Sequence, residues 1–91
     1  MKVRYTETAL AELDRIFAYI AKENAQAATV VIDRVERTVS RIGEFPNLGH
    51  ATDEAGVRVM PIGRFPYLIF YFVANNEVAI LHVRHAARLR P

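Results

Sequence analysis

Residues 66–74 read PYLIFYFVA, nine positions without a charge. A β-strand sends alternate side chains to opposite faces, so this strand is apolar on both. It therefore needs cover on both sides, which an isolated hairpin cannot give. Asn75-Asn76 follows, and Glu77 to Val83 runs back as a second apolar strand; two polar residues between apolar runs signal a hairpin. Upstream, Val57 to Ile62 reads as another strand, which Pro61 confines to an edge or an end. A short strand is expected at Lys2 to Tyr5.

The cover for this sheet lies in two helical patterns. Leu10, Leu13, Phe17 and Ile20 recur at three- and four-residue steps, and Ile16 widens the stripe. Thr6 offers an N-cap, Glu7 and Glu12 suit the start of a helix, and Asn24 is expected to cap its end. From about Ala25 a second stripe follows through Ala28, Val31, Ile32, Val35, Val39 and Ile42. Gly43 is expected to stop it, and Pro46 prevents continuation. Almost nothing joins the two helices, so they form an antiparallel hairpin. Leu13, Phe17 and Ile20, and in the strands Met60, Ile62 and Phe72, are expected in the core. Residues 43–56 read as a loop rich in turn residues.

The expected order is β-α-α-β-β-β, an α+β fold with a helical hairpin packed on a small, mainly antiparallel sheet. The 91 residues form a single domain, 1–91. One face of the central strand takes the hairpin. The other is expected to be open to a partner.

Composition narrows the chemistry. There is no cysteine, which excludes a disulfide framework and a cysteine–zinc site. MKVRYTET has no apolar signal-peptide core, and no run approaches the ~20 apolar residues that span a bilayer. A cytoplasmic protein with no membrane partner is expected. Residues 1–57 carry a net charge of −2 and residues 58–91 a net charge of +4. Such asymmetry suits an anionic partner, nucleic acid or an acidic protein surface, but also arginines on the wet face of a small sheet.

Ser40 is the only serine and lies inside the second helix, which leaves no nucleophilic triad. His82 and His85 point to opposite faces of a strand and make a poor metal pair. His50, Glu44 and Glu54 share a loop region without a spacing that joins them. No metal and no cofactor are expected. What remains is a basic set in the sheet half: Arg58, Arg64, Arg84, Arg88, Arg90, His82 and His85, with Tyr67 and Tyr71 among them. Arginine grips phosphate bidentately, tyrosine stacks on bases, and histidine exchanges protons near neutral pH. The same residues serve as hot spots on a protein surface.

Three stretches carry a resemblance. VRYTETALAELDRIFAYIA (residues 3–21) is similar to the first strand and helix of the RelE/ParE superfamily of toxins from bacterial toxin–antitoxin modules. EFPNLGH (44–50) resembles its loop after the second helix, and GVRVMPIGRFPYLIFYFVANNEVAILHVRHAAR (56–88) its sheet. The resemblance covers nearly the whole chain, through the order and spacing of its parts. It implies a cognate antitoxin and a hetero-oligomeric complex.

The superfamily divides. RelE-like members cleave mRNA on the ribosome; ParE-like members poison DNA gyrase. RelE-like enzymes place an arginine after the tyrosine of the central strand, where this chain has Leu68 after Tyr67. They carry a tyrosine near the C-terminus, where this chain has Ala86 and Ala87 after His85. Several use a lysine cluster around the second helix, whereas the lysines here are Lys2 and Lys22. A lost donor to a developing phosphorane charge removes about 3–4 kcal/mol of transition-state stabilisation. The resemblance therefore implies a ParE-like toxin, with Arg84, His85, Arg88 and Arg90 at the target surface and Arg58, Arg64, Tyr67 and Tyr71 in support. The alternatives are a ribosome-dependent nuclease using Arg58, His82, Arg84 and His85, and a non-toxic binding module of the same fold.

Overall fold

The computed structural model describes residues 1–88. Strand β1 (Lys2–Tyr5) leads into helices α1 (Glu7–Ala21) and α2 (Ala25–Glu44), followed by β2 (His50–Ala51), β3 (Val57–Ile62), β4 (Phe65–Ala74) and β5 (Glu77–His85); Ala86–Arg88 make a 3-10 turn. The strands form one sheet in the order β1-β5-β4-β3-β2, parallel only between β1 and β5. The α+β expectation holds, with one strand more than expected. The added strand, β2, is two residues from the turn-rich loop; no periodicity shows in so short a piece.

The cap residues decide how the chain turns at each end of the hairpin. Thr6 caps α1: its Oγ1 accepts from Ala9 N at 3.1 Å and donates to Ile80 O at 2.8 Å. One hydroxyl thus fastens the start of α1 to β5. Thr6→Ala is expected to cost about 1 kcal/mol, with Thr6→Ser close to wild type, read by urea denaturation. Asn24 does not end α1. It is the N-cap of α2, its Oδ1 accepting from Ala27 N at 3.0 Å, while Lys22 ends α1. An asparagine between two helices serves either role; here the backbone is extended and ready to start a helix. Gly43 likewise does not stop α2, which runs to Glu44. Gly43 is buried where a Cβ would meet Val3 Cγ2 at 2.9 Å, so it serves close packing of α2 on β1.

The core lies between α2 and one sheet face. Val35, Ile42, Ile62, Ile69, Tyr71, Val78 and Ile80 are fully buried. Leu13, Ile16, Ile20 and Met60 are half-buried against this core, as expected of Leu13, Ile20 and Met60. Phe17, expected in the core, is 40% exposed. Phe72, expected in the core, is 37% exposed and sits on the outer face of β4. Tyr67, Ile69 and Tyr71 point inward; Leu68, Phe70 and Phe72 point outward. Among the described residues no helix or strand covers that outer face.

Asn75 and Asn76 have φ of 53° and 60° and form the tight β4–β5 turn. Two consecutive left-handed residues match the strand twist, and asparagine tolerates them. The β4–β5 ladder has a bulge: Tyr71 pairs with Ile80 but Phe70 with His82, which leaves Leu81 as the extra residue. Beyond it Val83 faces inward, while His82 and Arg84 lie on the outer face with Phe70 and Leu68.

Candidate functional site

Antiparallel pairing carries the β3–β4 turn and the finish of β5 to the same end of the sheet, since Tyr67 lies opposite His85. Arg64, Tyr67, Arg84 and His85 therefore gather there from two separate stretches. Tyr67 is 8% exposed, and His85 packs edge-on against it with ring centroids 5.3 Å apart. His85 Nδ1 accepts from Ala87 N at 3.1 Å, which fixes the turn after β5. Arg88 is placed as the last residue of that turn, and Arg90 lies outside the described residues.

Arg84 and His82 are held by a residue the sequence did not single out for this role. Strand β1 ends opposite Ile80, so among the described residues no strand neighbours β5 beyond it on that side. Glu12 of α1 fills the gap. Its Oε1 accepts from Val83 N at 3.0 Å and lies 3.3 Å from His82 Nδ1, and its Oε2 lies 3.4 Å from Arg84 Nε. The carboxylate side chain is only 14% exposed. Arg84 Nη2 also lies 3.4 Å from His82 Nε2. Glu12 appeared in the sequence as a helix-start acid; its long-range part carries no local signal.

Two predicted site residues lie elsewhere. Tyr71 is fully buried. Its hydroxyl donates to Pro46 O and accepts from Gly49 N, both at 2.8 Å. A ring so enclosed has no face to stack on a partner, which corrects its assignment to the target surface. Arg58 turns to the same loop, donating from Nη1 to Gly49 O at 2.7 Å and Asn47 O at 3.4 Å. It anchors EFPNLGH and stands away from the Arg84 end of the sheet. His82 and Arg84 are joined through Glu12, but Arg58 does not join them, so the nuclease set of Arg58, His82, Arg84 and His85 does not converge. Gly49 is required inside this loop, because a Cβ there would meet Tyr71 Oη and Val59 O at 2.8 Å.

Beside the finish of β5 runs an open groove of about 740 Å³, with Arg15, Lys22, Arg84 and His85 around Ile16 and Tyr19. Its one acid, Glu12, is already bonded within the cluster. The groove is thus cationic at its rim and apolar along its wall. Among the described residues no helix is long and apolar enough to cross a membrane.

A hairpin of helices on a short mixed sheet, with a basic end and an open groove, is an architecture that presents binding surfaces. It matches a solved chain of the chromosomal ParDE toxin–antitoxin system of P. aeruginosa, with a TM-score of 0.82 and 24% identity over 93% of this chain and 95% of that one. The likeness establishes the fold. A putative toxin of Sinorhizobium fredii, Y4kP, is 34% identical over 90 residues, covering 99% of this chain and 93% of its own length. The toxin RelE2 of Caulobacter vibrioides is 35% identical over 88 residues, covering 97% and 98%. The profile of the ParE toxins of type II parDE toxin–antitoxin systems matches residues 3–90. The chain belongs to that family of type II toxins, and membership implies an antitoxin partner.

Proposed function

We propose that this ParE-family toxin acts in the cytoplasm by inhibiting DNA gyrase through a protein interface, and that a cognate antitoxin neutralises it. The observation that carries the reading is the outer face of β4. Leu68 stands opposite Arg84 where the nuclease branch needs a cation, and Phe70 and Phe72 continue an uncharged face. Phosphoryl chemistry depends on positioned cations. An aromatic and aliphatic face rimmed by arginine suits protein recognition. Arg84 and His85, with Arg64 at the same end of the sheet, form the target surface, and Arg88 and Arg90, which follow in the sequence, are assigned to it with them.

The groove beside β5 fits an acidic, amphipathic antitoxin segment that folds on binding. Arg84 and His85 line that groove, so its occupant covers part of the target surface. Neutralisation then follows from occlusion.

The test is a supercoiling assay with purified gyrase, with and without antitoxin. Inhibition relieved by antitoxin is expected, and Arg84→Ala with His85→Ala is expected to weaken it at least tenfold. Unchanged inhibition by that variant overturns the site assignment. The nuclease reading draws on the RelE2 relative and on the Glu12–His82–Arg84 cluster. Discrete, codon-registered transcript ends in arrested cells, with gyrase unaffected, would establish it instead. Normal growth on expression without antitoxin would favour the non-toxic binding module.

A further inference from the structure

We propose that α2 and the β3–β4 turn together form a binding site for a phosphate group, built by Arg34 and Arg64 on the ring of Phe65. The guanidinium carbons of Arg34 and Arg64 lie over that ring at 5.7 and 5.6 Å from its centroid. A guanidinium at this distance is drawn to the negative face of the ring. Its N–H donors lie in the guanidinium plane as a fork that matches two phosphate oxygens. Among the described residues neither side chain has an ion pair or a hydrogen bond within the chain. Two sets of donors are therefore brought to one ring and left unspent.

The neighbouring acids do not neutralise them. Asp33 is 3.0 Å from Arg37. Glu36 makes no ion pair with Arg34 or Arg64 among the described residues. Two like charges brought to one ring repel, and an oxyanion bound by both offsets that repulsion. Arg34 is half-buried, so its charge is less screened by water than that of a freely extended arginine.

The backbone is shaped to let Arg34 in. Gly63 has φ +74°, and a Cβ there would run into Arg34 Nη1. The turn thus keeps open the space that the guanidinium occupies. Neither Arg34 nor Arg64 lines the groove beside β5, so this site is separate from the proposed antitoxin seat. It does not depend on the gyrase reading, because phosphate binding is read on the toxin alone.

The experiment is NMR on the 15N-labelled full chain, following the arginine Nε–Hε signals. Inorganic pyrophosphate is one probe and a six-nucleotide single-stranded DNA the other. The expected result is a saturable shift of the Arg34 and Arg64 signals together, with Arg15 and Arg41 little changed. Arg34→Gln and Arg64→Gln should each weaken binding at least fivefold. Lysine at either position should restore less than half of the loss, since an ammonium lacks the fork. Saturation by pyrophosphate identifies a free phosphate as sufficient; saturation by the oligonucleotide alone identifies a backbone phosphodiester. Linear shifts spread over all arginines, or wild-type affinity in both glutamine variants, would overturn the site. Both variants change side chains that are at least partly exposed, and an unaltered circular dichroism spectrum checks their fold.

Discussion

Tyr71→Phe is expected to destabilise the protein by about 2–4 kcal/mol, although it removes a single oxygen. That oxygen satisfies two backbone groups of the 45–50 loop, Gly49 N–H and Pro46 C=O. Without it both groups lose their partner beside a fully buried ring, and each such orphan costs about 1–3 kcal/mol. For a domain this size the melting temperature should fall by on the order of 10–20 °C. Arg58 holds the same loop through Gly49 O, so the loop is expected to loosen rather than leave the sheet. Differential scanning calorimetry of Tyr71→Phe beside wild type decides the matter. A loss under about 1 kcal/mol, together with weakened target binding, would return Tyr71 to the partner surface where the sequence had put it.

The exchange between Tyr71 and Phe72 shows what a sequence such as PYLIFYFVA encodes and what it withholds. It encodes a central strand, because both of its faces are apolar. It does not encode which face the helices cover, since both parities look alike. Phe72 was therefore expected inside and Tyr71 outside, and the reverse is found. The same limit acts in β5. Strict alternation from Val78 and Ile80 would send His82 and Arg84 inward; the extra residue at Leu81 sends them out. A bulge of this kind is set by pairing across the sheet, which local periodicity does not report. The helices, the hairpin turn at Asn75-Asn76 and the α+β order were legible because each rests on local spacing or on a residue with a special backbone preference. The gathering of Arg64 with Arg84 and His85 depends on strand order, and the part of Glu12 depends on where β1 happens to end.

That last dependence makes Glu12 the second residue whose loss should be costly. An unpaired strand edge exposes backbone groups to mispairing. Glu12 supplies an acceptor where a continued β1 would have supplied a carbonyl, and it orients Arg84 and His82 with the same carboxylate. Glu12→Ala is expected to cost about 2 kcal/mol, mostly from the unsatisfied Val83 N–H. The ion pair with Arg84 contributes little, because Arg84 is 45% exposed. Glu12→Gln keeps an acceptor for Val83 N and should lose less than about 1 kcal/mol. Hydrogen exchange at the Val83 amide separates the effects: fast in the alanine variant, near wild type in the glutamine variant. Equal losses in both variants would mean that charge, not edge capping, makes Glu12 matter. If capping is the larger part, Glu12→Gln leaves a folded toxin with Arg84 released from its carboxylate. Glu12→Gln also removes a negative charge beside Arg84, so it should bind an acidic partner at Arg84 more tightly than wild type.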